Sequence, residues 1–172
     1  MKATLIIFLS LGILKVSACD CKIRTIKESQ ATSYSSSQLI LIGNVVEIDT
    51  VTGNYRIEIM ELLKGSSTIK TISGVTTTSC SGFPSLGPWI IYADSFEGET
   101  IEFSSCGMSR SFSDPQYAMV KDYAYPIPPK ELMKRSDDST NAYLELSKRI
   151  LTIKEKALAD LKIEIEELRK RR

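Results

Sequence analysis

Apolar and polar positions first divide the chain into a strand-rich middle and a helical end. Residues 37–49 hold Leu39-Ile40-Leu41-Ile42-Gly43-Asn44-Val45-Val46, an almost unbroken apolar run that predicts a largely buried strand. Thr52-Gly53-Asn54 is a turn signal. Tyr55, Ile57 and Ile59 then alternate with Arg56 and Glu58, the pattern of a strand with one wet face. Lys64-Gly65-Ser66-Ser67 turns the chain, and the Thr, Ile and Val of 68–77 suit a third strand. Gly82, Pro84, Gly87 and Pro88 mark a loop. Trp89-Ile90-Ile91-Tyr92-Ala93 reads as a fourth strand, residues 94–98 as a turn, and 100–104 as a fifth strand. Five short strands with hairpin-type turns predict a small mainly-β barrel or sandwich, and five is the count of the oligonucleotide/oligosaccharide-binding (OB) barrel.

The pattern changes after residue 112. Pro115, Pro126, Pro128 and Pro129 oppose continuous helix over 113–137, a linker whose Tyr117, Tyr123 and Tyr125 are expected to lie on the barrel. Residues 138–172 contain neither Pro nor Gly, and Ser139 or Thr140 can cap a helix there. Leu144, Leu151, Leu158 and Ile165 recur every seven residues. Leu161 and Leu168 fill the position three later, where Ser147 and Lys154 stand in the first half. Such a helix is about 50 Å long at 1.5 Å per residue, longer than the barrel is wide. It therefore packs on its own barrel, pairs with a second copy as a coiled coil, or takes a partner helix through 143–168. The terminal Arg169-Lys170-Arg171-Arg172 suits a helix C-terminus.

The first 18 residues form a third region. Lys2, the apolar run from Leu5 to Leu14 and the small residues Val16-Ser17-Ala18 make a signal peptide, too short to span a bilayer. Cleavage after Ala18 leaves Cys19 first in an exported chain. Val16-Ser17-Ala18-Cys19 also resembles the lipobox of bacterial lipoproteins, in which case Cys19 carries a lipid and the protein is membrane-anchored.

Composition narrows the chemistry. Twenty-two basic and 21 acidic residues in 172 give a net charge of +1, with no general attraction to nucleic acid. There is no histidine, which removes His-based triads, Cys-His dyads and the common zinc motifs. No Ser-Lys or paired-carboxylate constellation stands out, so the chain is not expected to be an enzyme, and no cofactor is implied. Four cysteines remain: Cys19, Cys21, Cys80 and Cys106. They allow three pairings, of which Cys19 with Cys21 closes a tiny strained ring. In an exported chain they act as staples for a small core.

A mature chain opening Cys19-Asp20-Cys21 resembles the netrin-like domain, most closely the N-terminal domain of the tissue inhibitors of metalloproteinases. Ile42-Gly43-Asn44-Val45-Val46 is similar to that family's first-strand Gly-x-Val segment, and Leu63-Lys64-Gly65 to its Lys-Gly turn. Ser79-Cys80-Ser81, Gly87 and Ile90-Ile91-Tyr92-Ala93 resemble its Cys, Gly, Tyr-Ala stretch. Cys106 with Arg110 resembles its last Cys and trailing Arg. The likeness covers 19–112. It implies a five-stranded OB-fold-like barrel stapled by Cys19–Cys80 and Cys21–Cys106, followed here by the long helix. Each bond would contribute on the order of 4 kcal/mol in the chain-entropy model.

The resemblance also implies a mechanism. The free amine and carbonyl oxygen of Cys19 would chelate the catalytic zinc of a target metalloendopeptidase, in the position normally held by water. Asp20 would enter the specificity pocket, and Lys22 would continue the contact. The chain needs no metal of its own for this. Three features depart from the family. Asp20 stands where inhibitors carry a small neutral side chain. A third disulfide is missing, and the cysteine-rich C-terminal domain is replaced by linker and helix. These departures suit the alternative, a netrin-like binding or structural module without inhibition.

Overall fold

The computed structural model describes residues 19–117, 120–124 and 139–172. The expected signal peptide, 1–18, and most of the expected linker lie outside these residues. Tyr125 lies outside them as well, and nothing is described of the Tyr117 side chain. No helix among the described residues is long and apolar enough to cross a membrane.

A short helix, α1 (Ile26–Ser36), precedes the strands β1 (Leu39–Asp49), β2 (Asn54–Lys64), β3 (Thr71–Val75), β4 (Gly87–Ala93), β5 (Ser95–Glu97), β6 (Thr100–Glu102) and β7 (Arg110–Ser111). Two single 3-10 turns, Pro115–Tyr117 and Lys121–Tyr123, lead towards the long helix α2 (Ser139–Arg171). The strands form one curled sheet in the order β5-β6-β3-β2-β1-β4-β7, with β3 and β6 parallel and the other pairs antiparallel. Register shifts between β1 and β2 at Ile40/Leu41, Ile42/Gly43 and Val45/Glu47 add local twist, which curls the sheet. Gly43 sits at one of them. A Cβ there would come within 2.4 Å of Ile57 Cγ2, so only glycine lets the strands approach this closely.

The sheet has seven strands, not the expected five. Residues 95–97 form β5 instead of part of a turn, because Asp94 breaks the strand direction for one residue only. Its N–H donates to the Glu102 carbonyl (2.9 Å) while its carboxylate accepts from the Ser104 N–H (2.9 Å). The two-residue β7 pairs with β4 where Trp89 and Ile90 meet Ser111 and Arg110. The expected third and fifth strands, 68–77 and 100–104, are shorter, at 71–75 and 100–102.

The apolar run of β1 is explained by two cores, one on each face of the sheet. Leu39, Leu41 and Val45 join Tyr55, Ile57, Ile72, Ile91, Ala93, Ile101 and Phe103 in a sheet core built from strands and the residues beside them. Ile40 and Ile42 point the other way, into a helix core with Leu63, Ile90, Tyr92, Met108, Val120, Tyr123, Ala157, Leu161, Ile165 and Leu168. Alternate side chains on a strand face opposite sides, and here both sides are covered. The core therefore extends past residue 112, through Val120 and Tyr123 and into α2.

Of the heptad positions in α2, Leu161, Ile165 and Leu168 are buried and the earlier leucines are not. Leu144, Leu151 and Leu158 are 53%, 55% and 42% exposed. The C-terminal half of α2 packs on the chain's own sheet through the buried stripe of Ala157, Leu161, Ile165 and Leu168. Within that stripe lies Glu164, almost wholly buried. It accepts from the Arg110 guanidinium at 3.2 and 2.6 Å, from Gln30 Nε2 at 2.6 Å and from the Tyr92 hydroxyl. Burial and the neighbouring carboxylate hold the Tyr92 phenol well above its ordinary pKa, so it stays a donor. The Arg110–Glu164 pair is bidentate, the strongest geometry for such a contact.

Candidate functional site

The N-terminal arm, residues 19–25, is held at both ends. At its start Cys19 is bonded to Cys80 and Cys21 to Cys106, with Cα separations of 5.2 Å in each case. This is the pairing that the resemblance implies. The two bonds lie side by side, with 3.4 Å between the sulfurs of Cys19 and Cys106. Cys80 follows β3 and Cys106 follows β6, the two strands that run parallel, so the arm crosses their ends.

The loops that receive the disulfides are themselves braced. The Ser105 N–H (2.8 Å) and hydroxyl (3.0 Å) both donate to the Cys80 carbonyl. Ser81 Oγ accepts from the N–H groups of Thr77 (3.2 Å) and Thr78 (3.0 Å) and donates to the Glu102 carboxylate, which also accepts from Thr77 Oγ1 at 2.6 Å. These hydroxyl donors hold the Glu102 carboxyl below its ordinary pKa.

At its far end the arm is fixed by backbone. Arg24 forms a parallel bridge with Val120, and the Lys121 N–H donates to the Arg24 carbonyl at 2.9 Å. The Asp122 carboxylate accepts from the Ile26 N–H at 2.8 Å. Thr25 and Glu28 make a capping box that starts α1, and those bonds lower the Glu28 pKa. At the other end of α1, Lys64 Nζ donates to the carbonyls of Tyr34 (2.5 Å) and Ser37 (2.6 Å), as a cation at a helix C-terminus should.

Between these anchors Asp20, Lys22 and Ile23 are exposed, Ile23 by 62%. Residues 19–23 thus form a ridge anchored at both ends, with a carboxylate, an ammonium and an apolar side chain in water. Cys19, Asp20, Cys21 and Lys22 are brought together with Cys80 and Cys106. The Sγ atoms of Cys19, Cys21 and Cys106 lie within 4.8 Å of one another. All three are in disulfides, which leaves no thiolate to ligate a metal ion. Beside the ridge, Ser105 also borders a cavity of about 330 Å³ walled by Phe83, Trp89 and Phe103. Trp89 packs on Phe103 at 6.2 Å and donates its indole N–H to the Ser85 carbonyl at 2.9 Å.

The sequence reading missed the Ser81–Glu102 brace and the Arg24–Val120 bridge. The only local signal for the arm's far end is the Thr25-x-x-Glu28 box. The chain matches no family model and no curated protein. The netrin-like resemblance therefore stands on the residues quoted for it.

Proposed function

We propose that the chain, released at Cys19, is an exported netrin-like inhibitor of zinc metalloendopeptidases that acts through its first residues. The observation that carries this reading is the ridge itself: two adjacent disulfides and a backbone bridge fix it, while Asp20, Lys22 and Ile23 face solvent. A pre-ordered binding segment loses little conformational entropy on docking. The connectivity is consistent with an OB-type barrel when β4 and β5 are counted as one strand bent at Asp94. Six strands then remain, five of them apart from the two-residue β7, with β1 between β2 and β4 and with β3 parallel to β6.

In this reading the amine and carbonyl oxygen of Cys19 ligate the target's zinc in place of water. Asp20 then faces the specificity pocket, and Lys22 continues along the cleft. The amine exists only after cleavage at Ala18. The disulfide at Cys19 speaks against lipid anchorage, because a sulfur bonded to Cys80 cannot also carry a thioether.

Asp20 favours a second reading, a netrin-like binding or structural module without inhibition. Burying an unpaired carboxylate in an apolar pocket costs several kcal/mol. An inhibition assay separates the two, using the mature protein, a form with one Ala before Cys19 and Asp20→Thr against a panel of zinc endopeptidases. Inhibition by the mature protein, lost on Ala extension and strengthened by Asp20→Thr, supports chelation. Inhibition that survives the extension rules chelation out. No inhibition by any form favours the binding module. Intact mass of the native protein reports whether Cys19 carries a lipid.

A further inference from the structure

The helix face that the described residues leave unburied has a self-complementary pattern. Leu144, Leu151 and Leu158 line one side of α2, about 85° around the helix from the centre of the stripe that packs on the sheet. Tyr143 beside them is 55% exposed. Towards the C-terminus the same side of the helix becomes one wall of a groove of about 440 Å³, lined by Ile42, Phe112, Leu158, Leu161 and Ile165. A bare apolar ridge thus leads into an apolar groove on a single helix.

We propose that this face binds a second copy of the chain, with the two α2 helices antiparallel and a two-fold axis at Leu151. In that register Leu151 meets Leu151 of the second copy, and Leu144 meets Leu158 at both ends. The Tyr143–Leu144 pair of each copy enters the groove of the other. A two-fold interface requires such self-matching. The flanking charges select the direction. On one flank Lys148 faces Glu155 of the other copy, twice by symmetry. On the other flank Ser147 faces Lys154, whose ammonium is already held by Asp114 at 3.0 Å. A parallel pair would instead set Lys154 against Lys154 across the seam, a like-charge contact. Lys148 and Glu155 are both exposed, and Lys148 pairs within its own helix only with Glu145, at 2.8 Å. The sheet contacts of α2 lie in its C-terminal half, so the antiparallel arrangement puts the two sheets at opposite ends. The paired segment, residues 144–158, is about 21 Å long, and the two grooves extend it.

Sedimentation equilibrium of the mature chain with its disulfides intact tests this. A concentration-dependent monomer–dimer equilibrium is expected. Leu151→Glu should raise the dissociation constant by about a hundredfold, because two carboxylates then face each other in an apolar seam. Circular dichroism below the wild-type dissociation constant should show an unchanged melt for this exposed position. Lys148→Glu should raise the dissociation constant about tenfold, through two repulsive contacts. Adding Glu155→Lys to it should restore affinity to within about threefold of wild type. A wild-type chain that stays monomeric up to near-millimolar concentration overturns the proposal. So does a dimer indifferent to Leu151→Glu, or a double charge swap no tighter than the single one.

Discussion

The two faces of the central sheet are secured by different means. The sheet core is apolar and built from residues close together in sequence, and the disulfides of the arm tie the ends of two of its strands. The helix core has no covalent tie. It draws on Met108, Val120, Tyr123 and α2, and it holds a buried ion pair, Arg110 with Glu164. A buried pair of this kind adds little stability compared with an apolar substitute. It fixes which residues meet, because either partner left alone is a buried charge. The sheet core is thus specified by pattern and staples, and the helix core by one polar match.

The largest break of that contrast is removal of the helix. A chain ended at Ala124 uncovers Ile40, Ile42, Ile90 and Tyr92 and leaves Arg110 without its carboxylate. The loss should exceed about 6 kcal/mol, comparable with the whole stability of a small domain. Calorimetry should then show no cooperative transition despite intact disulfides. A sharp transition near that of the full chain would show that the sheet core stands alone.

Next in size is Glu164→Ala, with an expected loss of about 3–5 kcal/mol in denaturant titration. Arg110→Met combined with Glu164→Leu should regain most of it. If the double variant is no more stable than the single one, the ion pair contributes more than specificity.

A matched pair of cavities sharpens the comparison. Ile72→Ala in the sheet core and Leu161→Ala in the helix core should each cost about 3 kcal/mol. Amide exchange should separate them. The Leu161 variant should release α2 while β1 and β2 stay protected, and the Ile72 variant should lower protection throughout the sheet. Identical exchange patterns would mean that the two cores open as one unit.

The smallest effect concerns acid. The Glu102 carboxyl is held below its ordinary value of 4.5 by Ser81 and Thr77. A depressed folded pKa contributes stability above the unfolded value and loses it as pH falls through the folded one. Protection of the Thr77 and Thr78 amides should therefore drop below about pH 4.5. In Glu102→Gln it should be lower at neutral pH and flat with acid. An unchanged acid response in that variant would assign the effect to another group.

Legibility in the sequence followed the same division. β1 and β2 were readable because a continuous apolar run and a clean alternation are tertiary demands written locally. Helix α1 was not. Its buried positions are Ser29 and Ser33, so it has no apolar stripe, and only its capping box marks it. In α2 the visible heptad runs through both halves. Only its C-terminal part, Leu161, Ile165 and Leu168, is buried, while Leu144, Leu151 and Leu158 stay exposed among the described residues. The face that α2 buries includes Glu164, which reads as a solvated charge until Arg110 is placed beside it. Strands β5 and β7, at three and two residues, are too short for any period to show. At the ridge, spacing left two pairings of the cysteines open, and the family resemblance alone chose between them.

Arg110 and Glu164 are 54 positions apart, and α2 is made after all seven strands. During synthesis the strands and both cysteine pairs precede it. The sheet core can therefore close while Ile40, Ile42 and Ile90 still lack their cover and the guanidinium is still hydrated. For that interval the protein is half finished, with an oily face exposed to aggregation or to chaperones. The final turns of α2 end it. A protease that clips the chain before Ala157 would return the molecule to that incomplete state with every disulfide unbroken, so an assay of cysteine oxidation alone would not detect the damage.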